Sequence, residues 1–255
     1  MAFGVSNRHR QAAEQGSSFA MIPISDDNPA RLVPIVTWAI IALCVVAYLW
    51  ERSLGRDMDS ALLVLGFTPA SLLGRLPAPH GFDTLSPLAT IFTSMFMHGS
   101  VLHLAGNMLY LWIFGNNVED AMGHGRFVVF YFVSGIAAAL MLAYVDPASH
   151  VPMVGASGAI SGVLAGYVLL FPRARVTVIV PLGIIFYPLA VSAFWVVSFW
   201  FVLQLLSAAM TDPGQPGVAW WAHVGGFGAG LVLTPILKSR GFPLFGAPRR
   251  GPWSR

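Results

Sequence analysis

Gly155-Ala156-Ser157-Gly158-Ala159-Ile160-Ser161-Gly162-Val163-Leu164-Ala165-Gly166-Tyr167-Val168-Leu169-Leu170 carries no charge. Its glycines Gly158, Gly162 and Gly166 recur every four residues. That spacing puts them on one helix face, the small-xxx-small pattern by which helices approach closely in lipid. The stretch therefore reads as a membrane-spanning helix, with the Ser157 hydroxyl near its start. The chain around it agrees: 255 residues, 56% of them apolar and 10% charged, against about 25% charged in an average soluble domain. Such a composition belongs to an integral membrane protein with the lipid bilayer as its solvent. The formal charge of +3 sits in short loops and tails, so it is no signal for nucleic acid. The single cysteine, Cys44, lies within an apolar run and has no partner for a disulfide in the chain.

Six helices fit the hydropathy: 33–50, 100–115, 127–145, 153–171, 189–209 and 220–237. Each is within or slightly below the ~17–25 residues that cross a bilayer core. The first run ends in Tyr48-Leu49-Trp50 with no small-residue cleavage pattern, and reads as a retained span rather than a signal peptide. Residues 176–188 are uncharged but are broken by Pro181, Gly183 and Pro188, so the expectation there is an interfacial or partly buried loop. With both termini in the cytoplasm, the inner segments hold eleven of the fourteen Lys and Arg residues. The outer loops hold only Arg52, Arg56 and Arg75, a firm positive-inside bias. The expected organisation is a cytoplasmic tail over 1–30, a membrane domain over 31–238 with a long first outer loop at 51–99, and a basic cytoplasmic tail over 239–255. The tails are expected to be mobile.

In that topology the second, fourth and sixth helices run from outside to inside. His103, Ser157 and His223 then each stand within about a turn of a helix start, at one shared depth below the outer face. A serine is a weak nucleophile until a base takes its proton, and a histidine is the commonest base. His223 is also an ionisable group inside a span, which is a functional signal by default. The first N–H groups of the helix at Ser157 lack intrahelical partners and can face a developing oxyanion. His103 and Asn107 are four apart on one helix face and can donate hydrogen bonds to the same charge. Gly155 and Gly158, and Gly162, Gly226 and Gly230, are read as helix-packing glycines that bring the fourth and sixth helices together. The alternative reading of these residues is helix packing and interhelical hydrogen bonding alone. No Asp or Glu falls within an assigned span, so a nucleophile and base here form a dyad. His98 and His150 read as polar residues at the outer edge, and Glu119 and His124 as part of an inner loop. No metal motif and no cofactor is expected.

The pattern resembles the rhomboid family of intramembrane serine proteases. The resemblance covers about 90–240. It rests on His103-Leu104-Ala105-Gly106-Asn107, on Gly155-Ala156-Ser157-Gly158, and on Ala222-His223-Val224-Gly225-Gly226 with Gly230. Gly115-Asn116-Asn117-Val118-Glu119 and Gly123-His124-Gly125-Arg126-Phe127 look like the family's inner turn. The resemblance implies an all-α membrane protein, a six-transmembrane-helix rhomboid-like bundle. It implies Ser157 as nucleophile, His223 as base and then acid, and an oxyanion hole from His103, Asn107 and the Ser157 N–H. It implies single-span transmembrane protein substrates and a multi-pass location; composition points to a bacterial cytoplasmic membrane, with an organelle membrane as the alternative. The fifth helix, with Phe194 to Phe201, is implied to act as a lateral gate. The first outer loop lacks the family's frequent Trp-Arg pair, and Ser161 stands where some members carry an aromatic residue against the histidine. A rhomboid-like client-binding protein without protease activity is the alternative. A small-solute transporter is a further one, against which stand the absence of inverted repeats and a polar cluster near one face rather than the midplane.

Overall fold

The computed structural model describes residues 22–75, 85–182, 185–212 and 214–246. Residues 1–21 of the expected tail over 1–30, Pro77 and Pro79 of the outer loop, Gly183, and residues 247–255 of the expected basic tail over 239–255 lie outside the described residues. In chain order the elements are β1 (Ile22–Asp26), α1 (Ile35–Ser53), α2 (Met58–Leu65), α3 (Pro69–Leu72), α4 (Pro87–Thr93), α5 (Val101–Tyr110), α6 (Asn116–Met122), α7 (His124–Val145), α8 (Ser157–Leu170), β2 (Arg175–Leu182), β3 (Ile185–Ser192), α9 (Ala193–Met210) and α10 (Trp220–Leu237). The chain is mostly helical. By length and composition α1, α7, α9 and α10 are long and apolar enough to cross a membrane, and α8 is a shorter apolar helix. A π-helical turn at Leu111–Gly115 joins α5 to α6, so one helical path runs from Val101 to Met122. Gly123, at φ +80°, makes the turn into α7.

α8 is the centre of the bundle. Every residue from Gly158 to Tyr167 is buried, on all faces of the helix. Its small residues allow this, because they let α10 come within backbone contact. A Cβ on Gly226 would overlap the Gly158 carbonyl, and a Cβ on Gly230 would overlap the Gly162 carbonyl. Gly166 faces Thr234 of α10 and Phe130 of α7. Phe114, Phe127, Phe130, Tyr131, Leu164 and Tyr167 fill the space around these contacts.

Three expectations change. The stretch expected as a loop at 176–188 is a hairpin, β2 paired with β3, and it delays the start of α9 to Ala193. Val176, Thr177, Val178, Ile179 and Val180 are β-branched and favour a strand. Pro188 is tolerated because β3 is an edge strand, and Pro181 lies beyond the register that β1 covers. The second change is in the segment 1–30. Its described part is not a free tail, because Ile22–Asp26 pairs with β2 as β1 and completes a three-stranded antiparallel sheet. The bundle is thus not purely α. The third is that Glu51 and Glu119 fall inside helical segments, both fully buried.

Glu119 explains how α1 starts. Its carboxylate accepts bonds from the N–H groups of Val36 and Thr37 at 2.9 and 2.8 Å, and from the Thr37 hydroxyl at 2.7 Å. These amides are among those a helix leaves unpaired at its N-terminus, where negative charge is favoured. His124 Nδ1 lies 2.6 Å from the same carboxylate. Asp26, Asn28 and Asn117 bond to one another beside it, with Tyr167 on Asp26. The sheet and this polar group therefore sit at the Tyr167 end of α8, about 15 Å along the helix from Ser157.

Candidate active site

Ser157 is the first residue of α8 because the chain before it cannot be helical. Met153 pairs with Phe67 in a short antiparallel bridge, and Gly155 takes φ +117°. The fourth helix is thus four residues shorter at its start than hydropathy indicates. Gly155 has a separate reason to lack a side chain. A Cβ there would stand 2.6 Å from the His103 ring and 3.4 Å from Asn107 Nδ2. It is therefore not a helix-packing glycine but the point where the loop presses against α5. Gly158 packs on Ala138 of α7 as well as on α10.

His223 lies in the first turn of α10 and is buried. Its Nε2 stands 2.8 Å from Ser157 Oγ, across 66 residues of sequence. On the other side of the ring, Nδ1 stands 2.7 Å from Gln204 Oε1 of α9. Trp200 and Trp220 flank the ring, with centroids 6.0 and 6.1 Å away. Ser161 makes its hydrogen bond elsewhere. Its hydroxyl turns back to donate to the Ser157 carbonyl at 2.7 Å. The aromatic rings beside His223 come instead from α9 and from the start of α10.

α5 brings His103 and Asn107 to the same place. Ser100 caps the helix by accepting from the His103 N–H at 3.1 Å. His103 and Asn107 line, with Gly155, Ser157, Trp200 and His223, one cavity of about 610 Å³. Asn107 is held by His98, for which the sequence predicts only a polar place at the outer edge. His98 is 0% exposed, and its Nε2 accepts from Asn107 Nδ2 at 3.1 Å. Its Nδ1 donates to the Phe96 carbonyl at 3.0 Å, which fixes that assignment. The His98 N–H in turn donates to the Glu51 carboxylate at 3.1 Å. His98 lies ahead of the Ser100 cap in an irregular segment, where no helical spacing marks its neighbours. His150 is exposed. Glu119 and His124 lie at the opposite end of the bundle and do not reach the site.

Chemically, this is a hydroxyl facing an imidazole at the N-terminus of a helix, with an amide side chain and a second imidazole across the cavity. Residues 86–240 match the Rhomboid domain family. The chain belongs to the rhomboid family, and with its apolar helices it is an integral membrane protein. It is similar to the rhomboid protease GlpG of Salmonella paratyphi A, at 26% identity over 201 residues, covering 78% of this chain and 62% of that one. The same figures hold for the rhomboid protease GlpG of Salmonella typhi. The chain thus spans a little over three fifths of the length of these relatives.

Proposed function

We propose that the chain is an intramembrane serine endopeptidase that hydrolyses a peptide bond in or near the transmembrane segment of single-span membrane proteins. The observation that carries this reading is the 2.8 Å hydrogen bond between His223 Nε2 and Ser157 Oγ inside a cavity. His223 takes the proton as Ser157 Oγ attacks the scissile carbonyl. The same imidazole gives it to the leaving amine, and the acyl group remains on Ser157. Water then attacks the ester with His223 again as base, and Ser157 is regenerated. General base and acid action of this kind contributes about 10²–10⁴-fold. The oxyanion forms beside the Ser157 N–H at the start of α8, with His103 and Asn107 as further donors. Each such donor is worth roughly 3–4 kcal/mol in the transition state. The substrate helix must open locally, because a helical peptide bond is shielded by its own turns.

In this reading six helical segments cross the bilayer: α1, the path from α5 to α6, α7, α8, α9 and α10. Both termini face the cytoplasm, in keeping with the Arg and Lys distribution. The site then opens just below the outer face of a bacterial inner membrane, and the sheet lies on the cytoplasmic side. A serine-directed phosphonate tests the chemistry. Labelling at Ser157 that is lost in His223→Ala supports an activated nucleophile. A folded wild-type protein that takes no label favours a client-binding relative of the family.

A further inference from the structure

His223 has two ring nitrogens, and each meets a different helix: Nε2 faces Ser157 of α8 and Nδ1 faces Gln204 of α9. Gln204 is 6% exposed on a helix whose Phe194, Trp195, Phe199, Val202, Leu203 and Leu206 are all exposed. An amide on such a lipid-facing helix is costly unless both its polar atoms are bonded. Here they are. The amide nitrogen donates to the Trp200 carbonyl one turn back at 3.2 Å, and this turns the amide oxygen toward His223. An amide oxygen only accepts, so Nδ1 must carry the ring proton. Nε2 is then left with its lone pair directed at Ser157 Oγ. The opposite amide orientation would put a donor against Nδ1 and move the ring proton to Nε2, where it would face the serine and block the abstraction.

We propose that Gln204 is a positioning residue for the Ser157–His223 pair: it holds the imidazole in the Nδ1–H form, the one competent to take the serine proton. The inference rests on the endopeptidase reading for its catalytic consequence, but not for the tautomer itself. Gln204 does the orienting that a carboxylate does in a serine–histidine–aspartate triad. As a neutral acceptor it fixes the ring without adding a charge to the membrane interior. Because it comes from α9, the state of the base depends on the packing of α9 against α10.

The test compares Gln204→Leu and Gln204→Glu with wild type, using the full chain in detergent micelles. Three quantities are read: kcat and KM on a single-span reporter substrate, the thermal midpoint, and the ¹⁵N signals of the His223 ring, assigned with His223→Ala. In Gln204→Leu, kcat is expected to fall about 10–100-fold with KM within about twofold, the split that marks lost transition-state alignment. The ring signals are expected to shift from the Nδ1–H toward the Nε2–H pattern. Gln204→Glu keeps an acceptor at the same reach, and is expected to restore the Nδ1–H pattern and most of kcat. The proposal is overturned if Gln204→Leu leaves kcat and the ring signals unchanged. It is overturned as well if both variants lose thermal midpoint and activity together, since that describes packing alone. If wild type cleaves no substrate while its ring signals respond to Gln204→Leu as stated, the endopeptidase reading fails and the tautomer assignment stands.

Discussion

Gly226 of α10 lies so near the Gly158 carbonyl of α8 that no Cβ fits between them, and this contact stands beside the Ser157–His223 hydrogen bond. The Ser157 and His223 side chains meet because two backbones touch. Gly226→Ala should therefore force α8 and α10 apart and cost about 1–3 kcal/mol of stability as an overpacking change. It should also lower cleavage, because the hydrogen bond lengthens with the helix separation. Gly228→Ala is the control on the same helix, since a Cβ there meets nothing within 4 Å. Thermal midpoints and cleavage rates of the two variants in detergent check this.

Asn107 and His98 should be separable by kinetics. Asn107→Ala removes a donor facing the cavity and should lower kcat by about 10²–10³, or roughly 3–4 kcal/mol. His98→Ala removes the acceptor that orients Asn107 and should lower kcat in the same direction by a smaller factor. Loss of activity in His98→Ala beyond that of Asn107→Ala would show that His98 acts otherwise than through Asn107.

Stability should depend on pH through Asp26. Burial pushes its carboxyl up to about 6 from 3.8, while the bond from Tyr167 at 2.5 Å pulls the other way. Between those values the folded chain holds a proton that the unfolded chain has lost. The contribution is thus complete below about 3.8 and is lost as pH rises through about 6. The thermal midpoint of wild type should carry a decline across this window that Asp26→Asn lacks, and the variant should be the more stable at pH ~7. Melting curves across the window read it directly.

The long apolar helices were legible in the sequence because charge and hydropathy report burial in lipid, whereas the short helices α2, α3 and α4 lie in the stretch expected as a loop; Ser157, His103, Asn107 and His223 were legible as candidates because each lies near a helix start. Their mutual distances were not, since they depend on how closely Gly158 and Gly226 approach. The hairpin was hidden by its prolines, which break a helix but are tolerated here, Pro188 on the edge strand β3 and Pro181 on β2 beyond the register that β1 covers. Gln204 was hidden differently. A lone amide in an apolar run has no spacing partner, and its meaning arises only when α9 is set against α10. Glu51 falls just beyond the span that hydropathy predicts, because an apolar run ends where a carboxylate begins. The structure continues α1 through it, to bond the His98 N–H.

The central proposal is hydrolysis of a peptide bond by Ser157 with His223 as base. Its most direct measurement is cleavage of a panel of single-span membrane proteins by wild type and by Ser157→Ala, both shown folded by thermal melting, with cut sites mapped by mass spectrometry. Cuts are expected in or near the transmembrane segment with wild type and none with Ser157→Ala. Equal cleavage by the two proteins would contradict the proposal.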